Sequence, residues 1–284
     1  GHREAVKRLG KQELWYRSGW MSTSPVASLK VAMRVKKVDG TAEATAVDES
    51  RLAMWNDLFK HDLSIKLADL MAAGASFNVD VSTDGITLDF GGFPPLIPRV
   101  IDAVLAGFKS GVDVANQDGT PKGQFTRLFK QYEDGLQDFS DMPVHYALED
   151  RNLLLAVGSS SKAETLASLR EVTPQNTKHA FMELVMAKPL EVLAMGMGNI
   201  DDDYVRRTMD LFDETLGQQF DRPPHDEGKV EAVAPIVSPG VPAELRRANP
   251  RAGDGNDAVV VSIILGVSTV KKRVINHMLG SILG

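Results

Sequence analysis

Around Asp84-Gly85 the sequence repeats one pattern on both sides of a turn. Phe77, Val79 and Val81 alternate with Asn78, Asp80 and Ser82, and Ile86, Leu88 and Phe90 then resume the alternation. A period of two is the repeat of a strand with one buried face, and Asp-Gly is a turn pair, so the segment is a predicted β-hairpin. A second alternating run covers Ser28 to Val38, where Leu29, Val31, Met33 and Val35 are spaced by Lys30, Arg34 and Lys36. Strands that are apolar on one side only need a second layer to cover that side.

Helices supply it. Asp48 offers an N-cap, Gly74 a stop, and between them Leu52, Trp55, Leu58, Phe59, Leu63, Leu67, Leu70 and Met71 recur near every 3.6 residues. After the break at Gly91-Gly92-Phe93-Pro94-Pro95, an amphipathic helix is predicted over Leu96–Phe108, and another after Pro121 carrying Phe125, Leu128, Phe129, Tyr132 and Leu136. Shorter helices are predicted at Val144–Val157, Ser161–Arg170 and Thr173–Met186. Lys188–Met195 reads as a strand, Gly196–Asn199 as a turn, and Asp201-Asp202-Asp203 as the acidic start of a helix to about Leu216. The expected fold class is α+β, a two-layer domain with an antiparallel-rich sheet packed on helices.

Residues 221–256 are rich in Pro, Gly, Asn and acids and read as a linker, with one edge strand expected at Val230–Val237. Ala258–Val267 reads as a strand and Lys271–Leu283 as the start of a helix. The expected division is therefore 1–220 as one domain, 221–256 as linker and 257–284 as the truncated start of a second. The chain reads as a piece of a longer protein. Gly1-His2 looks like the pair that tag cleavage leaves, and Ser281-Ile-Leu-Gly284 stops inside an apolar helical pattern.

Composition removes whole classes of function. With no cysteine there is no disulfide, no thiolate nucleophile and no cysteine-ligated metal. The net charge is -6 and no basic stripe is visible, so nucleic acid is not an expected partner. The longest apolar run, Ala258 to Val267, is strand-sized, so no membrane span is expected.

The six histidines (His2, His61, His145, His179, His225 and His277) never fall within five residues of one another, so no His-x-x-Glu-His or His-Glu-x-x-His helix exists. His145 and Glu149 would share a helix face, but two groups do not complete a zinc site that needs three or four. His225 with Asp221, Asp226 and Glu227 is accounted for by an acidic linker. Gly196-Met-Gly-Asn199 lacks the third glycine of a dinucleotide loop and the Lys-Ser/Thr of a P-loop, and Gly158–Ser161 lacks a nucleophile elbow. The expected set of catalytic, cofactor-binding and metal residues in this chain is none.

Several runs nevertheless follow one known order. Leu14-Trp15-Tyr16 precedes the strand at Leu29–Val35 and the helix over Leu52–Leu70. Ala68-Asp69-Leu70 and Ala72-Ala73-Gly74-Ala75-Ser76-Phe77 lead into Leu88-Asp89-Phe90-Gly91-Gly92-Phe93. Glu191-Val-Leu-Ala-Met-Gly-Met-Gly198-Asn199-Ile200 comes later, then Asn256–Leu283. Taken together they resemble the third domain, and the opening of the fourth, of the insulin-degrading enzyme or pitrilysin type (M16) of zinc metallopeptidase. Met197 stands where that family often has His. The resemblance implies a parent that hydrolyses peptides with zinc held on a His-x-x-Glu-His helix plus a distal Glu in its first domain; nothing here matches that helix. An assisting Arg and Tyr would come from a fourth-domain segment that this chain does not reach.

The resemblance also implies that this chain alone is inactive and binds no zinc itself. Its partners would be the N-terminal catalytic half of the same protein and peptide substrates. In the parent the sheet would face a peptide chamber, and Lys30, Arg34, Lys36, Asn78, Asp80 and Thr87 are the candidate chamber-facing residues. Two rival readings fit the sequence: a scaffold subunit from a catalytically inactive relative, such as a core protein or processing-peptidase-like subunit, and a standalone module that binds peptides by adding a strand to a sheet edge.

Overall fold

A computed structural model describes residues 7–9, 12–18, 25–35, 44–116, 118–137, 143–155, 160–188 and 190–216, together with 246, 248, 255, 256 and 258–261. Six strands form one sheet: β1 (Lys7–Leu9), β2 (Gln12–Ser18), β3 (Ala27–Val35), β4 (Ser76–Ser82), β5 (Gly85–Gly92) and β6 (Leu190–Gly198). Their spatial order is β1-β2-β6-β3-β5-β4, antiparallel throughout except for the parallel β2–β6 pair. The helices are α1 (Ala46–Lys66), α2 (Ala68–Ala72), α3 (Ile97–Ser110), α4 (Gly123–Gln137), α5 (Pro143–Leu155), α6 (Lys162–Ser168), α7 (Pro174–Phe181) and α8 (Asp202–Leu216). The result is the two-layer α+β arrangement anticipated from the pattern.

The chain divides into two units. The first comprises Gly1–Gln137 and Lys162–Gly228 and holds the sheet and seven of the helices; the second comprises Asp138–Ser161 and Lys229–Gly284 and includes α5. In the first unit, Leu29, Val31 and Met33 of β3 and Ile86, Leu88 and Phe90 of β5 are buried, with Val79, Val81, Val192 and Ala194 beside them. The covering helices meet them with an aromatic stack. Trp55 lies 4.3 Å from Phe181 and 4.7 Å from Phe59 between ring centroids, and Phe108 lies 5.0 Å from Phe59.

Local chemistry moved several boundaries. The N-cap of α1 is Thr45, not Asp48: Thr45 Oγ1 accepts from Asp48 N at 3.2 Å and the Asp48 carboxylate accepts from Thr45 N at 3.1 Å. Asp48 thus serves as the reciprocal partner of a capping box. The helical stripe to Ala73 is interrupted at Leu67, which separates α1 from α2, and Gly74 at φ 95° ends it. The hairpin turn is Thr83-Asp84, one residue earlier than expected, because Ser82 pairs with Gly85.

Strand β6 runs on through Gly198, so Gly196 and Met197 are strand residues and not a turn. Gly198 adopts φ 98°, and a Cβ there would lie 2.6 Å from Val26 O. The helix predicted over Thr173–Met186 changes to a π-helical turn at Met182–Met186. Residues 258–261, inside the strand expected at Ala258–Val267, are irregular; 262–284, Lys36 and the edge strand expected at Val230–Val237 lie outside the described residues. Strands β1 and β2 had no expectation, because their sequence carries little alternation.

Candidate functional site

The strand register places the candidate residues on common rows of the sheet's open face. Lys30 of β3 stands opposite Asp89 of β5, which stands opposite Asn78 of β4. In the next row Ala32 faces Thr87, and Thr87 faces Asp80; two residues further along, Arg34 faces Gly85 on one side and Glu191 on the other. Lys30, Arg34, Asn78 and Asp80 are exposed and Thr87 is half-buried, while their strand neighbours point into the core. Alternation alone accomplishes this: each strand that sends Val or Leu to the helices sends its next residue outward.

Two of the charges on this face, those of Lys30 and Asp80, have counter-charges. Lys30 Nζ lies 3.3 Å from Asp89, a partner that the sequence reading missed because a cross-strand pair depends on register. Asp80, on the edge strand, reaches Lys60 Nζ of α1 at 3.7 Å. The same corner affects Asp57 of α1: burial raises its carboxyl above the ordinary value, Lys60 opposes the rise and Asp80 adds to it.

Also missed were Met195 and Met197 of β6, which are 45% and 49% exposed. They stand opposite Lys30 and Ser28. Reading Gly196–Asn199 as a turn had removed Met197 from the strand; continuing the alternation of Val192 and Ala194 through Gly196 would have found both.

A separate groove of about 410 Å³ lies between the Pro94–Pro98 segment and α8, lined by Tyr204, Arg207 and Leu211 among others. The Tyr204 hydroxyl donates to Pro94 O at 3.1 Å, and burial pushes its phenol up to about 12. It therefore stays protonated at neutral pH and fastens the loop after β5 to α8.

The described residues do not fit a zinc centre. Among them no group of three or more His, Asp or Glu side chains could hold a metal ion, and His61, His145 and His179 sit on three different helices. No helix among the described residues is long and apolar enough to cross a membrane.

No protein-family model matches the sequence, and no curated protein matches it. Solved structures do share the fold. The chain is similar to pitrilysin, with a TM-score of 0.58 and 16% identity over 79% of this chain and 23% of that one. It is similar to a conserved protein from Enterococcus faecalis (TM-score 0.53, 13% identity, 78% of this chain and 53% of that one). It is also similar to a peptidase M16 inactive domain from Pseudomonas fluorescens (TM-score 0.51, 11% identity, 78% and 53%). The chain spans less than a quarter of pitrilysin and about half of the other two. Its fold is that of an M16-type peptidase domain, a two-layer α+β sandwich.

Proposed function

We propose that this chain is a non-catalytic part of the C-terminal half of an insulysin- or pitrilysin-like zinc metalloendopeptidase. Residues 1–220 form the third domain, 221–256 a linker, and 257–284 part of the domain that follows. The open sheet face forms a wall of the peptide chamber, and the N-terminal catalytic half is its partner. The supporting observation is the fold shared with pitrilysin over 79% of this chain. In that arrangement the parent's zinc activates water, and the sequence here supplies no His-x-x-Glu-His helix to hold it.

The test is direct. With zinc added, the chain alone is expected to leave a fluorogenic peptide at its background rate, and mixing it with the half that carries the zinc motif should restore cleavage. Zinc-dependent hydrolysis by the chain alone contradicts the proposal.

A second reading is favoured by one observation, the similarity to a domain described as inactive. In it the parent is a scaffold without peptidase activity. The upstream reading frame separates the two: an intact His-x-x-Glu-His with a distal Glu supports the enzyme, and degenerate residues support the scaffold.

A further inference from the structure

We infer that Met195 and Met197 are a redox modification site, where peroxide converts both thioethers to sulfoxides and so turns an apolar part of the open face polar, reversibly. The inference uses the exposure and strand position of these side chains and stands apart from the peptidase reading.

Seven methionines fall among the described side chains, and they separate into two groups. Met33, Met54 and Met186 are 0%, 1% and 4% exposed, whereas Met71, Met182, Met195 and Met197 are 44%, 50%, 45% and 49% exposed. Access to sulfur decides which group an oxidant meets. A sulfur lone pair attacks one oxygen of hydrogen peroxide and the O–O bond breaks. The proton on the transferred oxygen passes to the departing hydroxide, which leaves as water. Sulfur thereby gives up two electrons, and peroxide accepts them.

Met71 and Met182 are single exposed residues on helical segments. Met195 and Met197 form a pair. They occupy alternate positions of β6, so both project from one face of the sheet about 7 Å apart. Met195 stands between Lys30 of β3 and Trp15 of β2, and Met197 between Ser28 and Arg17. All four of those residue types carry an N–H or O–H donor, and a sulfoxide oxygen is an acceptor, so each new oxygen enters a row suited to it. The pairing of β6 with β2 and β3 runs through backbone groups, which an oxygen added to an outward side chain leaves in place. The same oxygen on Met33 would be a polar atom buried under the helices. Oxidation therefore alters the open face before it reaches the core.

Peroxide treatment of the full chain, followed by peptide mapping in a mass spectrometer, tests this. Met195 and Met197 should each gain one oxygen at least tenfold faster than Met33, Met54 and Met186, with circular dichroism and thermal midpoint unchanged. The oxidised chain should elute earlier from a hydrophobic-interaction column. The two methionine sulfoxide reductases, one for each epimer at sulfur, should restore its elution. Met195→Leu with Met197→Leu should remove more than half of the elution shift, and Met71→Leu with Met182→Leu should remove less than half. Oxidation of the pair no faster than of the buried three would mean that the pair is covered in solution, and overturns the inference. So does a thermal midpoint that falls in step with oxidation of the pair, a sulfoxide that neither reductase removes, or an elution shift that survives in the Met195→Leu, Met197→Leu variant.

Discussion

On the helix-covered face of the sheet, Leu29, Val31, Met33, Val79 and Leu88 have no measurable exposure; on the open face, Met195 and Met197 are about half exposed and Lys30 and Asp89 share an ion pair. Both faces are built from the same strands, so backbone hydrogen bonding cannot account for the difference. The helix-covered face derives its stability from apolar area removed from water, a term that scales with contact and tolerates little loss. On the open face Lys30 pairs with Asp89 and Asp80 with Lys60, and Met195 and Met197 keep about half their surface exposed. One face holds the fold together, and the other carries charged and half-exposed apolar side chains.

The largest effect should come from the covered side. Trp55 is fully buried and stacks on Phe59 and Phe181. Trp55→Ala removes the centre of that stack and should cost about 3–5 kcal/mol of stability, read by urea unfolding followed by far-ultraviolet circular dichroism. A loss near the surface average of about 0.5 kcal/mol would mean that the aromatic stack is not what secures the covered face.

The asymmetry between faces also explains what was legible in the sequence. Alternation around Leu29 and around Leu88 identified the strands, and the 3.6-residue stripe through Trp55 identified the covering helix, because burial imposes those periods directly. The open face was legible only as a set of outward residues. That Lys30 meets Asp89 rather than another acid follows from the register Lys30↔Asp89, which no local pattern encodes. The capping box at Thr45 was overlooked for a similar reason: Thr45 and Asp48 both cap well, and only the backbone path decides which one sits outside the helix. Gly196 and Gly198 suggest a turn in the sequence, and that shortens the expected strand at β6. Gly196 is instead a buried strand position opposite Leu29, and Gly198 closes the strand at φ 98°.

An intermediate effect is expected on the open face itself. Lys30 and Asp89 are half exposed, so solvent screens their attraction. A double-mutant cycle of Lys30→Ala and Asp89→Ala should give a coupling of about 0.2–1 kcal/mol, smaller at 1 M salt than at 0.1 M because screening shortens the range of the interaction. Coupling above about 2 kcal/mol, the range of a desolvated pair, would mean that this row is covered in solution, and the contrast between the faces would narrow to Met195 and Met197 alone.

The smallest effect lies at the corner where the faces meet. Asp57 belongs to α1 and Asp80 to the edge strand, with Lys60 between them at 3.7 Å from Asp80. Burial, chiefly, lifts the Asp57 carboxyl; Lys60 opposes the lift and Asp80 adds to it. A carboxyl whose folded value lies above its unfolded one binds its proton more tightly when folded. The folded state is therefore relatively favoured at low pH, and that advantage is lost as pH rises through the folded value. Asp57→Asn should consequently increase stability at pH 7, and the increase should shrink as pH falls to and below the ordinary carboxyl value of 3.8, where Asp57 becomes protonated in both states. The gain should stay within about 0.5 kcal/mol, because solvent reaches this corner. Thermal unfolding at pH 7 and pH 3.5 measures it. An equal gain at both pH values would assign the effect to helix propensity. A loss at pH 7 would mean that attraction to Lys60 outweighs the cost of burial, so that Asp57, like Asp89, serves as a counter-charge.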